Sequence, residues 1–167
     1  MKMNNIILIG MPGAGKSTLG VVLAKALGFD FVDTDLIIQS EQKDRLYRII
    51  QKKGIEKFIE IENKTVASLR AENSVVATGG SVIFGKEAME NLKKLGTVVY
   101  LEVGEKEIEK RLSNIKTRGV VIKDGETVEE IYNTRTPLYE KYADITVSCE
   151  GLDLEKTVEQ IINFVGE

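Results

Sequence analysis

The sequence predicts an α/β fold in which a parallel sheet is covered by helices on both faces. Three observations carry that prediction. Short β-rich apolar runs alternate with longer amphipathic segments along the chain. The first run, Ile6-Ile7-Leu8-Ile9, is apolar at successive residues, as a strand buried on both faces must be. The chain has 167 residues, 43% hydrophobic and 29% charged, which is ordinary globular composition at the length of one domain. No repeat, low-complexity tract or Pro/Ser-rich linker divides it, so a single domain over 1–167 is expected.

The elements follow in order. After the first strand, Leu19, Val22, Leu23, Ala26 and Leu27 recur at i, i+3, i+4, i+7 and i+8, a helical stripe stopped by Gly28. Phe29 to Val32 reads as a second strand that closes at Asp33-Thr34-Asp35. Ser74 to Ala77 and Thr97 to Leu101 give a third and fourth, separated by a helix carrying Ala88, Met89 and Leu92. Glu105 to Leu112 is helical, Ile145 to Ser148 is a short last strand, and Leu154, Val158, Ile161, Ile162 and Val165 mark a closing helix. Pro137 is expected to end or bend the helix that contains Arg135. Two segments interrupt the alternation. Leu36 to Leu69 is mostly helical by pattern and longer than a single crossover requires. Ser113 to Gly125 is basic and aperiodic, and reads equally as a solvated connection or as a mobile cover over an anionic ligand.

Composition excludes several chemistries. The chain has no His, so a Ser-His-Asp triad, a His-ligated zinc and a His general base are all impossible. Catalysis must use carboxylates, Lys, Arg, hydroxyls, backbone amides or an added metal. The single Cys149 forms neither an internal disulfide nor a C-x-x-C pair; it reads as a small half-buried hydrophobe in a reducing, cytoplasmic setting. The N-terminal apolar run of four residues is too short for a signal peptide or a membrane span, so no membrane association is expected. With 23 Lys+Arg against 26 Asp+Glu, the net charge of −3 argues against a nucleic-acid partner.

One motif carries the chemistry. Gly10-Met11-Pro12-Gly13-Ala14-Gly15-Lys16-Ser17 fits G-x-x-x-x-G-K-[ST] and lies between a buried strand and an amphipathic helix, the context in which that pattern cradles phosphates. Glycines let the backbone curl so that successive N–H groups point inward, and the helix N-terminus adds partial positive charge. Lys16 is expected across the β- and γ-phosphates, with the Ser17 hydroxyl on a bridging magnesium. Asp33 and Asp35 fall at the carboxyl end of the second strand, where parallel sheets bind ligands. There one carboxylate can serve the metal shell and the other an attacking hydroxyl; the competing use is helix capping. Thr78-Gly79-Gly80-Ser81 allows close approach of backbone to a ligand, or is a plain strand-to-helix turn. Arg111 has an i,i+4 partner in Glu107, and Arg135 is either a site residue or an exposed cation at a helix break.

Taken together these residues resemble the shikimate kinases, small relatives of the nucleoside monophosphate kinases, over nearly the whole chain. The matching stretches are GMPGAGKST at 10–18, FVDTD at 31–35, FIEIE at 58–62, TGGSV at 78–82, VVYLEV at 98–103, Arg118 in the basic loop and RTPLY at 135–139. The resemblance implies a three-layer P-loop kinase fold: a five-stranded parallel sheet flanked by helices, with a substrate-binding insert over about 34–62 and a lid over about 113–125. It implies ATP-dependent phosphorylation of the 3-hydroxyl of shikimate by a monomer using ATP and magnesium, with a small-molecule substrate as its partner. By position, Gly13, Ala14, Gly15, Lys16, Ser17 and Thr18 hold the nucleotide, Arg111 packs on adenine and Arg118 reaches the phosphates from the lid. Ser17 and Asp33 serve the metal; Asp35, which holds and activates the acceptor hydroxyl, is catalytic together with Lys16 and Arg118. Gly79, Gly80 and Arg135 line the pocket of the acid.

The chain also departs from the family's pattern. The F-R-x-x-E stretch, whose Arg clamps the substrate carboxylate, here carries Ile59, and an aliphatic side chain cannot make bidentate charge-assisted bonds. Glu62 then lacks its usual neighbour, and if it faces the pocket its charge is expected to repel an acid. A three-glycine run is reduced to Thr78-Gly79-Gly80, and an Arg-Pro in the lid becomes Arg118-Gly119, which loosens it. The phosphate side is intact and the acceptor side altered, so an acid is expected to bind through Arg135 less tightly. The alternatives are a related kinase with a different hydroxylated acceptor, or a nucleotide sensor that retains only the phosphate loop.

Overall fold

The structure, a computed structural model, describes residues 4–113 and 120–166. In chain order its elements are β1 (Asn5–Ile9), α1 (Lys16–Leu27), β2 (Asp30–Asp33), α2 (Thr34–Gln42), α3 (Leu46–Lys53), α4 (Ile55–Ala67), β3 (Ser74–Ala77), α5 (Lys86–Leu95), β4 (Gly96–Glu102), α6 (Glu105–Ser113), α7 (Val128–Tyr142), β5 (Ile145–Ser148) and α8 (Leu154–Val165), with a 3₁₀ turn at Val82–Phe84. Among the described residues the five strands are all parallel, in the order β2-β3-β1-β4-β5.

The central strands are apolar at successive positions because both faces are covered. Ile7, Ile9, Val76, Val98 and Tyr100 point into one cluster with Met89 and Leu92 of α5 and Ile131 and Tyr139 of α7. Ile6, Leu8, Val75, Val99 and Leu101 point to the opposite face, against Leu19 and Leu23 of α1 and Val158 and Ile161 of α8. Gly28 ends α1 in the left-handed conformation, its N–H satisfying carbonyls of the last turn, as the sequence pattern requires.

Two regions refine the sequence expectation. The long stretch between β2 and β3 folds as the three helices α2, α3 and α4 around a separate apolar cluster of Ile38, Leu46, Ile49 and Phe58, joined by Val121. Pro137 does not end its helix: α7 runs on to Tyr142. A capping box between Thr127 and Glu130 starts that helix firmly. Beyond the proline, Tyr139 is fully buried, stacks on Tyr100 with ring centroids 5.2 Å apart, and donates its hydroxyl to the Gly80 carbonyl at 2.6 Å. These tertiary contacts outweigh the single backbone N–H that proline removes.

The chain leaves β1 for strands on one side of the sheet, β2 and β3, before crossing to β4 on the other. The carboxyl ends of β1 and β3 therefore flank the point where strand order reverses, the crevice in which open parallel sheets bind ligands.

Candidate active site

The turn from β1 into α1 has the curled backbone the motif predicts. Gly13 and Gly15 adopt φ of +82° and +88°, values that an L side chain rarely tolerates. Gly15 is the N-cap of α1, and no acidic residue occupies that helix's first turn. The first-turn N–H groups and the positive end of the helix thus remain directed at an anion. Lys16 Nζ donates to the carbonyls of Gly10 and Met11 at 2.7 and 2.8 Å, which holds the amine across the loop.

Asp33 ends β2 and is engaged through both of its carboxylate oxygens. Its Oδ1 accepts from the Asp35 N–H at 3.0 Å and caps α2, while its Oδ2 accepts from Ser17 Oγ at 3.0 Å. A hydroxyl and a carboxylate meeting beside a phosphate cradle form the hard oxygen donor set that magnesium takes. Among the described residues no group of three acidic or sulfur ligands forms a metal cage.

A cleft of about 700 Å³ connects these groups to the acceptor side. It is lined by the phosphate loop, Asp33, Asp35, Gly79, Gly80 and Arg135, the residues expected to meet there, and also by Gln39, Arg45, Tyr47, Glu62, Ser81 and Val121. Such a volume lies in the usual range for small-molecule sites. The two glycines are required by crowding: a Cβ at Gly80 would come within 2.6 Å of the Pro12 ring. A Cβ at Gly79 would sit 2.7 Å from Glu62 Oε2 and 2.9 Å from Asp35 Oδ1, so both carboxylates converge on the Gly79 backbone.

Arg135 is not an exposed cation at a helix end. It is only 3% exposed, its Nη2 donates to the Val121 carbonyl, and its guanidinium lies 5.4 Å from the centre of the Phe84 ring. Its Nη1 has no hydrogen-bond partner although it is buried. A buried guanidinium with an unused donor is costly alone and is satisfied by an anionic ligand.

Glu62 lines the same cleft at 1% exposure, with Oε1 accepting from Ser81 Oγ at 2.6 Å and Oε2 unpartnered. Burial pushes its carboxyl up to about 7; the Ser81 hydrogen bond opposes this, Asp35 reinforces it, and the charges of Arg135 and Lys16 oppose it. At neutral pH it is therefore protonated about half the time, which weakens the repulsion expected from its charge. Ile59, one position after Phe58, is half-buried among the apolar residues of α2–α4 and does not line the cleft.

Arg111 of α6 bonds Glu107 at 3.0 Å, as its spacing predicts, and also donates Nη1 to the Gly13 carbonyl at 2.9 Å. With Gly13, Thr18, Leu152 and Cys149 it lines a second hollow of about 360 Å³ that shares Gly13, Gly15 and Thr18 with the main cleft. Burial raises the half-buried Cys149 thiol, so the small-hydrophobe reading stands. Arg118 and Gly119 lie outside the described residues; of the expected lid, Val120 and Val121 are described and line the cleft.

The sequence pattern missed Arg45, Gln39, Tyr47 and Val121. They belong to no spaced motif, and their arrival at one cleft depends on how α2, α3 and α4 pack.

Over nearly its whole length the chain is similar to shikimate kinases. A family model described as shikimate kinase matches residues 12–166. The shikimate kinase of Thermodesulfovibrio yellowstonii is 38% identical over 163 residues, covering 96% of this chain and 94% of that protein. That of Persephonella marina is 35% identical over 98% of this chain and 97% of its own. Among solved structures, shikimate kinase from Acinetobacter baumannii in complex with shikimate superposes with a TM-score of 0.86 at 29% identity, covering 98% of this chain and 93% of that one. The phosphate loop, the parallel strand order and the acidic pair at the end of β2 thus occur in a chain that belongs to the shikimate kinase family.

Proposed function

We propose that this protein transfers the γ-phosphoryl group of ATP to the 3-hydroxyl of shikimate. One observation carries the reading: a single cleft is lined by the phosphate loop, by Asp35 and by Arg135, whose buried Nη1 lacks a partner. Such a cleft suits a molecule that is both an alcohol and an acid, brought beside a triphosphate.

The loop N–H groups and Lys16 bind the β- and γ-phosphates, and the hollow bounded by Arg111 and Leu152 takes the base. Ser17 and Asp33 would hold magnesium, which when bound neutralises phosphate charge. Asp35 orients the acceptor hydroxyl and receives its proton as the new O–P bond forms and the bond to the departing ADP oxygen breaks. Arg135 Nη1 takes the substrate carboxylate, and the close-set Gly79 and Gly80 leave room for the ring. Residues 34–62 are the insert that receives the acid, and the segment 113–125, with Arg118, covers the transferring group and excludes water. Most of the catalysis is positioning and charge compensation, so no histidine is required.

A coupled assay of ADP release tests this. Turnover is expected only when shikimate, ATP and magnesium are all present. Asp35→Asn should lower kcat on the order of 10²–10⁴-fold while leaving ATP affinity intact. No ADP release from the wild type with shikimate would reject the acceptor, and full activity in the variant would reject Asp35 as the base.

A further inference from the structure

The cleft contains a second arginine that nothing above has used. Arg45 is the N-cap of α3 and lines the same cleft as Asp35, Glu62 and Arg135, yet comes from an element far from α7 in the chain. Its backbone is firmly placed: its N–H donates to Asp44 Oδ1 at 2.9 Å, and its carbonyl accepts from Arg48 and Ile49 at 3.0 Å each. The next residue, Leu46, is tied to α2 through the Gln39 side chain at 3.0 Å. The guanidinium itself is exposed, and among the described residues no carboxylate forms an ion pair with it. Asp44, the adjacent acid, is engaged by Lys52 at 2.8 Å and by Arg48 at 3.9 Å. Tyr47, also on the cleft wall, has its phenol held below the usual range, chiefly by the Arg48 hydrogen bond and further by Arg45.

Arg135 offers an acid its buried, unpartnered Nη1, while Nη2 already donates to the Val121 carbonyl. A second charged donor from another wall of the cleft would strengthen the hold on the acid, and neutral Gln39 or Tyr47 would supply no charge. Ile59 supplies none either. We infer that Arg45 is a specificity-determining residue that binds the carboxylate of the acceptor from the α3 side, completing with Arg135 a clamp built from two distant elements. This rests on the acceptor being an acid, as proposed above. It gives the chain an acid clamp whose outer half is exposed and whose inner half is buried.

The test compares shikimate with its uncharged methyl ester in the full-length protein, for wild type, Arg45→Ala and Arg45→Lys. Arg45→Ala should raise KM for the acid roughly 10–100-fold, the range of a lost charge-assisted pair. KM for the ester, KM for ATP and kcat at saturating acid should stay unchanged, and Arg45→Lys should recover part of the loss. A simple structural role would move acid and ester together. Equal shifts for both compounds, an unchanged KM for the acid, or a loss confined to ATP would each overturn the inference while leaving the acceptor established. A wild type that turns over neither compound overturns the acceptor assignment, and this inference with it. Unchanged thermal unfolding of Arg45→Ala, expected for an exposed side chain, keeps the comparison free of folding effects.

Discussion

The two halves of the cleft are built differently. The phosphate loop is one unbroken segment, Gly10 to Thr18, and the groups it offers an anion are mostly backbone N–H donors fixed by the turn into α1. The acceptor half is assembled from α2, α3, α4, the loop after β3 and α7, and its binding groups are side chains whose charge depends on their surroundings. Backbone donors have no pKa to tune and cannot be replaced by substitution, so the first half is rigid in chemistry as well as in shape. Side chains gathered from several elements can be altered one at a time. Ile59, where the family's pattern has Arg, is a change of that kind, made among the helices that carry the acceptor side while the phosphate loop keeps its pattern.

Three changes probe that contrast. The largest effect should come from Lys16→Ala, which removes the side-chain cation of the phosphate loop. A fall in kcat on the order of 10²–10³-fold is expected, as for loss of a donor aimed at developing charge, with the acid's KM little changed. An equal rise in the acid's KM would mean that the halves are coupled rather than separate.

A smaller effect should appear at Glu62. Its carboxyl is held up to about 7 in the folded protein against 4.5 ordinarily, so between those values the unfolded chain has released a proton that the folded chain keeps. Stability fully present below pH 4.5 is therefore lost as pH rises through 7, by up to about 3 kcal/mol, and then levels off. Thermal unfolding of the wild type should decline relative to Glu62→Gln from pH 5 to 8, and the wild-type KM for the acid should rise above pH 7 while the variant's does not. Parallel curves would show that the acceptor half is no more pH-sensitive than the nucleotide half.

Gly79→Ala should have the mildest outcome. The added methyl meets Glu62 and Asp35 at under 3 Å, and displacing them should cost about 1–3 kcal/mol, seen as a higher KM for the acid with KM for ATP unaltered. If ATP binding suffers instead, Gly79 serves the phosphates.

The same division explains what could be read from the sequence. The strands, the phosphate loop and the Gly28 stop were legible because each depends on neighbours in the chain: a buried run, a glycine spacing, a helix end. Asp33 and Asp35 were legible because they follow a strand directly. Arg135 was found by family resemblance, but its surroundings were not, because its burial under Phe84 and Val121 depends on α7 continuing past Pro137. Local rules for proline favour a break there, and the Tyr139 contacts that override them are tertiary. Arg45 carried no signal, since a charged residue at the start of a short helix is usually solvated. For Glu62 the sequence raised the right question, whether it faces the pocket, but not the answer that burial removes much of its charge.

The stacked pair Tyr100 and Tyr139 extends this further. Tyr100 belongs to a central strand and does not line the cleft, but Tyr139 leans on its ring and reaches the Gly80 carbonyl, and Arg135 lies one helical turn away. The pair acts as a strut between the sheet and the helix that carries Arg135. Shortening it from inside the molecule would widen the pocket without altering any residue that lines it.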